Sequence, residues 1–349
     1  MASDKSRPTH HTSRSKKSPP KRILSRRTDF LWRLGALAVL WVIVLGRGCL
    51  FRPKSNFPGA HFNNGTNAAW LEVEWVSRPH SSDEVLELAT ALAQRQITTV
   101  YVYTSYYKPE GSFSSTYGYA EEFVATLKGF APDLSVQMWI GLPLRQMNLN
   151  SRAIRREVVD FCASLLPKAG FDGLHLDPEP VEDGNQAVLT LLEELREAIG
   201  PEVTLSIAGR RIWPIFPTVH WPLVGEWSWS ASYYQKIAGR VDEIAVMVYD
   251  SSLSIPALYQ QWTKFEVIAL SRTLVYSDVR LFIGIPTSAE VTRTHNPAAE
   301  NMRTGLRGVI TGLNDWATWP NTLTGVAIYP YWETDETEWK VYQSLWLGE

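Results

Sequence analysis

The chain has 349 residues, 45% of them hydrophobic and 20% charged, with a formal net charge of −2. That length suits one large domain plus an appendage, and the balance is that of a globular protein rather than a disordered one. The two cysteines, Cys49 and Cys162, exclude a disulfide framework and a Cys-based metal site.

The small net charge hides an asymmetry. Residues 1–33 hold ten Lys or Arg against two Asp, a net +8, and the 24 basic and 34 acidic residues that follow leave −10. A basic tail on an acidic body argues against a nucleic-acid partner and for a polarised membrane protein. Residues 1–29, rich in Ser, Pro, Lys and Arg, read as a disordered tail. From Phe30 to Phe51 the chain is apolar, with charge only at Arg33 and Arg47, and is long enough to cross the hydrocarbon core of a bilayer. Both arginines lie near the ends, where their side chains can snorkel. A cleaved signal peptide is the competing reading, opposed by the long basic segment in front and by the lack of an A-x-A-like site. Nine Lys or Arg precede Phe30, which predicts a cytoplasmic tail and a body that faces outward. Residues 52–67 read as a linker.

Residues 68–349 read as a single domain in which short β-type runs alternate with amphipathic helical stretches. The predicted strands are Trp70–Val76, Thr98–Ser105, Ser135–Leu142 and Gly173–Glu179, then Val203–Ala208, Glu243–Tyr249, Arg280–Pro286 and Leu323–Tyr329. The predicted helices between them begin with Ser82–Gln94, where Ser81 and Glu84 form a capping box, and end with Glu336–Leu347. Gly200-Pro201 stops the fourth helix. Eight such units predict an α/β fold closed into a (β/α)8 TIM barrel, preceded by the transmembrane helix. An open doubly wound sheet is the weaker alternative, because no Gly-rich phosphate loop follows the first strand. No P-loop, H-E-x-x-H, G-x-S-x-G or C-x-x-C occurs, and no cofactor or metal is expected.

In such a barrel the chemistry sits at the C-terminal ends of the strands. The fourth strand reads Phe171-Asp172-Gly173-Leu174-His175-Leu176-Asp177-Pro178-Glu179-Pro180. Side chains alternate along a strand, so Leu174 and Leu176 face the helices while His175, Asp177 and Glu179 face the interior. Three ionisable groups in one interior column are costly unless paired or used. Repulsion between neighbouring carboxylates raises a pKa, which makes Glu179 a candidate proton donor. A satisfied polar plug is the bland alternative.

This string resembles the D-G-x-D-x-D-x-E signature of family 18 glycoside hydrolases, the chitinases and their relatives. Asp172, Asp177 and Glu179 match the first Asp, the third Asp and the catalytic Glu, and His175 replaces the middle Asp. Met247-Val248-Tyr249-Asp250 resembles the family's M-x-Y-D, and residues 281–286 and 325–329 resemble its seventh and eighth strands, with Tyr329 where Trp is usual. The resemblance implies a retaining mechanism in which the substrate's 2-acetamido group is the nucleophile, an exception to the two-carboxylate rule. Glu179 would be the acid, Asp177 would steady the acetamido nitrogen, and Tyr249 would bond its carbonyl beside Asp250. Tyr329 would floor the sugar site. Histidine at position 175 would be either a cationic partner of Asp177 or a neutral hydrogen-bond donor.

Trp75, Tyr106, Trp213, Trp332 and the aromatic run Trp221–Trp229 are candidate sugar-stacking rings at the mouth, although any single ring can equally be packing. Arg210 and Arg211 read as a solvated pair, with binding of an acidic sugar as the alternative. Glu72 and Glu74 alternate on the first predicted strand and are further acid candidates if they face inward. Two functions follow: a membrane-anchored glycosidase acting on an N-acetylhexosamine-containing glycan, or a surface barrel that binds glycan without cleaving it.

Overall fold

The computed structural model describes residues 61–212 and 228–349. The expected anchor, Trp213 and most of the aromatic run lie outside the described residues. Among the described residues no helix is long and apolar enough to cross a membrane.

Eight parallel strands form the centre: β1 (Asn67–Leu71), β2 (Ile97–Lys108), β3 (Ser135–Pro143), β4 (Gly173–Glu179), β5 (Thr204–Arg210), β6 (Glu243–Met247), β7 (Arg280–Pro286) and β8 (Leu323–Tyr329). Each pairs with the next, and β1 pairs with both β2 and β8, which closes the sheet into a barrel. The order of units predicts this closure, because each helix returns the chain to start a parallel strand beside the last. The helices are α1 (Ser82–Gln94), α2 (Ala120–Phe130), α3 (Arg152–Ala169), α4 (Gln186–Ile199), α5 (Ala231–Ala238), α6 (Pro256–Thr273), α7 (Met302–Leu313) and α8 (Glu336–Tyr342). The capping box at Ser81 forms as expected, with Ser81 Oγ accepting from the Glu84 amide and the Glu84 carboxylate accepting from the Ser81 amide. Gly200 ends α4 with φ of 81°.

Two apolar layers follow from strand alternation. Leu174 and Leu176 join the large core between strands and helices. Inside the barrel Trp70, Tyr101, Trp139 and Phe282 pack with Ala68, Ala245 and Ala327. The lower end is plugged by charge and amide: Gln137 Nε2 donates to Glu243 at 2.6 Å, and Arg280 pairs with the same buried carboxylate at 2.5 Å.

The first strand is the main departure from expectation. It starts at Asn67 and stops at Leu71, and residues Glu74–Ser77 form a helical turn. Glu74 at the start of that turn favours the positive helix end and pairs with Arg78 four residues on. Glu72 and Glu74 are therefore not interior acids, and both line a groove outside the barrel with Trp75 and His80. Asn67 looks like linker but is fully buried. Its carboxamide accepts from Trp346 Nε1 at 2.8 Å and the Val326 amide at 3.2 Å, and donates to the Gln96 carbonyl at 3.1 Å. A polar residue so satisfied can sit in the core.

Candidate active site

The strands deliver their last side chains to a cavity of about 230 Å³ at the C-terminal end of the barrel. Asp177 and Glu179 come from the end of β4, and Met247, Tyr249 and Asp250 from β6 and the turn after it. Tyr329 ends β8. Residues far apart in the sequence thus share one wall, because all parallel strands end on the same face. Gly284 on β7 makes room: a Cβ there would lie 2.9 Å from Tyr249 Cε1 and 2.8 Å from the Val246 carbonyl.

Asp177 Oδ2 accepts from Trp139 Nε1 at 3.1 Å, while its buried Oδ1 makes no hydrogen bond to the protein. Burial is the largest force raising the Asp177 carboxyl, followed by the negative charge of Glu179, with the Trp139 bond opposing. Glu179 is raised too, again by burial first; Arg210 pulls it down and Asp250 pushes it up. The Glu179 side chain is open to solvent at the cavity rim, yet protein crowds it closely enough to strip much of its hydration. The two carboxyls therefore compete for charge and together hold a proton above the ordinary carboxylate range.

Tyr249 is buried and lies parallel to Tyr329, with ring centroids 5.1 Å apart at 9°. Trp70 meets Tyr329 edge-on at 5.6 Å, and Trp332, which is exposed and does not itself line the cavity, meets Tyr329 edge-on at 6.0 Å. An aromatic base beneath a pair of carboxyls suits a sugar ring, whose C–H faces stack on aromatic faces while its hydroxyls seek polar partners.

His175 is not the cationic partner of Asp177; it is a neutral hydrogen-bond donor, but to Ser206 rather than to a carboxylate. It is fully buried below the cavity, and its ring stacks on Tyr101 at 3.8 Å. Trp70 Nε1 lies 3.1 Å from His175 Nε2, and an indole can only donate, so Nε2 accepts. Nδ1 then carries the hydrogen and donates to Ser206 Oγ at 2.7 Å. Burial holds the ring neutral, with its pKa pushed down to about 3. Both nitrogens are occupied, and neither serves Asp177. His175 instead orients Trp70, which floors the cavity.

Four more expected residues lie elsewhere. Asp172 precedes β4 at the opposite end of the barrel, where it pairs with Lys128 at 2.9 Å and accepts from the Val136 amide at 2.9 Å. It staples α2 to the start of β3 and cannot reach a ligand in the cavity. Trp75 stacks on His80 at 4.4 Å and packs against Phe123, outside the barrel. Trp229 is fully buried and donates to the Val181 carbonyl, so it is core rather than sugar platform. Tyr106 is exposed at the end of β2 and does not line the cavity.

The structure adds wall residues that the sequence did not single out. Trp70, Trp139, Ala208 and Thr294 line the cavity, and Arg210 joins them rather than lying as a solvated cation. Arg211 also borders it and donates to the carbonyls of Tyr249 at 3.2 Å and Asp250 at 2.8 Å. The signal for Trp70 and Trp139 was present: each stands at an interior position of its strand. Among the described residues no group of three or more His, Cys, Asp or Glu is arranged to hold a metal ion.

The family model described as glycosyl hydrolases family 18 matches residues 76–346. No curated protein sequence matches the chain. Among solved structures, the chain is similar to a chitinase from Rhizomucor miehei (TM-score 0.53, 15% identity, 80% of this chain and 98% of that one). It is similar to a family 18 chitinase from Cycas revoluta in complex with (GlcNAc)3 (TM-score 0.53, 17% identity, 80% and 99%). It also resembles the spore cortex-lytic enzyme SleL of Bacillus cereus (TM-score 0.53, 11% identity, 80% and 74%). At these identities the likeness shows the fold alone.

Proposed function

The chain belongs to the family 18 glycosyl hydrolases, and from that premise we propose that it hydrolyses N-acetylhexosamine-containing glycans by a retaining mechanism in which the substrate supplies the nucleophile. The observation that carries this reading is the proton-holding pair Asp177 and Glu179 in one cavity with Tyr249, where Asp177 Oδ1 is left without a protein partner. Glu179 protonates the glycosidic oxygen. The acetamido oxygen attacks C1, the C1–O bond to the leaving sugar breaks, and a cyclic oxazolinium forms. Asp177 faces the acetamido nitrogen as positive charge grows there, in a site dry enough for that charge to matter. Tyr249 donates to the attacking oxygen and fixes its angle of approach. Water then opens the ring at C1, with Glu179 taking its proton. The complex of the Cycas revoluta chitinase with (GlcNAc)3 supports a 2-acetamido sugar as the ligand. That His175 engages neither carboxyl favours hydrolysis over binding alone.

The test is steady-state kinetics on aryl glycosides matched except for the 2-acetamido group. Turnover is expected only where the group is present. Equal rates on the two sugars would rule out substrate assistance.

We also propose that residues 30–51 anchor the protein in a membrane, with the tail cytoplasmic and the barrel outside. The apolar run and the basic residues before it support this. Full-length protein is expected in the membrane fraction after carbonate washing, and external protease on intact cells should cleave the body. A body left intact under conditions that cut a known surface protein would refute the orientation.

A further inference from the structure

The wall that carries Tyr249 is an irregular turn. Asp250 and Ser252 have φ of 56° and 61°, in the left-handed region that non-glycine residues seldom adopt. Something must hold them there, and the hydrogen bonds identify it. The Arg211 guanidinium takes the outward carbonyls of Tyr249 and Asp250. On the other side the Glu300 carboxylate takes the Asp250 amide at 2.8 Å and the Ser251 amide at 2.9 Å, with the Ser251 hydroxyl at 2.5 Å. A cation thus grips the carbonyls and an anion the amides.

Glu300 is fully buried, and such a carboxylate needs an opposite charge beside it as well as these donors. His295 provides it, with Nδ1 3.0 Å from Glu300 Oε2. Its Nε2 lies 3.0 Å from the Ser288 carbonyl. Both partners are pure acceptors, so the ring satisfies both only as an imidazolium with two N–H groups. The Glu300 bond is the largest influence on the ring and lifts its pKa above the ordinary imidazole value. Ser288 is tied in turn to the loop after β8, because its hydroxyl and the Ala289 amide both donate to Glu333. Thr294, next to His295, donates to Asp250 Oδ1 at 3.2 Å, and its carbonyl accepts from the Ser252 amide at 2.8 Å. His295, Glu300, Ser288 and Glu333 have no step in the proposed chemistry.

We infer that His295 and Glu300 are positioning residues that fix Tyr249 in the cavity wall by clamping the turn over residues 249–252 from the side opposite Arg211. This rests on the proposed role of Tyr249. The clamp links the loops after β6, β7 and β8, so a ring on one of them sets the place of a phenol on another.

The experiment is a double-mutant cycle in the full chain, read as kcat on an aryl N-acetylhexosaminide. His295→Ala is expected to lower kcat by between about 10- and 100-fold, the scale on which a misplaced reacting group costs rate, with KM changing much less. His295→Asn keeps a donor where Nδ1 stands and is expected to retain most of the rate; it also serves should the alanine variant fold poorly. In a Tyr249→Phe background the His295→Ala loss is expected to shrink to about twofold or less, because the group it positions is gone. Equal fractional losses in both backgrounds would overturn the clamp while leaving the reading of the cavity intact. A Tyr249→Phe enzyme as fast as its parent would overturn that reading, and the clamp with it.

Discussion

Glu179→Gln is expected to lower kcat by about 10²–10⁴-fold on substrates with poor leaving groups, the range over which general acid catalysis acts. The amide keeps the size of the side chain and removes the proton that the proposed mechanism delivers to the leaving oxygen. The loss should be much smaller on aryl glycosides whose phenol departs without protonation. That contrast separates loss of an acid from loss of a fold. The parent's pH profile follows from the same chemistry. Burial raises both Asp177 and Glu179, with repulsion from Glu179 adding at Asp177 and repulsion from Asp250 adding at Glu179, so the acid stays protonated above the usual carboxylate range. Activity is therefore expected to fall as pH rises through that raised value. In Asp177→Asn the repulsion between Asp177 and Glu179 disappears, and the alkaline limb should move to lower pH. Unchanged kcat in Glu179→Gln would remove Glu179 from the site.

Asp177→Asn is expected to cost about 10²–10³-fold in kcat, the size of effect seen when a preorganised stabiliser of transition-state charge is removed. The argument rests on its two oxygens. Oδ2 is held by Trp139 Nε1, which fixes the plane of the carboxyl, and Oδ1 is buried and without a protein partner. A buried acceptor without a protein partner is costly, and a donor such as an acetamido N–H offsets that cost. Asparagine keeps the shape but loses the charge that the proposed mechanism uses to steady the oxazolinium. A thiazoline analogue of that intermediate should therefore bind Asp177→Asn far more weakly than the parent, while product affinity falls little. Thiazoline binding of equal strength in both proteins would count against Asp177 in this role.

Much of the barrel is written in local signals. Alternation of Leu174 and Leu176 with His175, Asp177 and Glu179 gives both faces of β4, and the capping box at Ser81 marks the start of α1 as the structure has it. Local signals misled where two periods compete. Residues Glu72 and Glu74 alternate as in a strand, yet the chain turns helical at Glu74, where its charge suits a helix N-terminus. Asn67 and Trp229 misled for another reason: a polar residue looked like linker and an indole like a ligand platform, and each found its partners in distant parts of the chain.

The sequence alone determined the eight-unit order, the faces of the strands and the column of ionisable groups on β4, because these depend on spacing along the chain. Tertiary structure alone decided what each group does there. His175 and Asp177 share an interior column, but the first is closed off by Trp70, 105 residues away, and by Ser206, while the second keeps an open oxygen. Asp172 lies five residues from Asp177 in the same motif and ends at the other end of the barrel, bound to Lys128. Strand periodicity fixes the direction of a side chain. Which donor or charge meets it across the barrel depends on strands that the sequence places far apart, and that pairing sets hydration and pKa, and with them the chemistry.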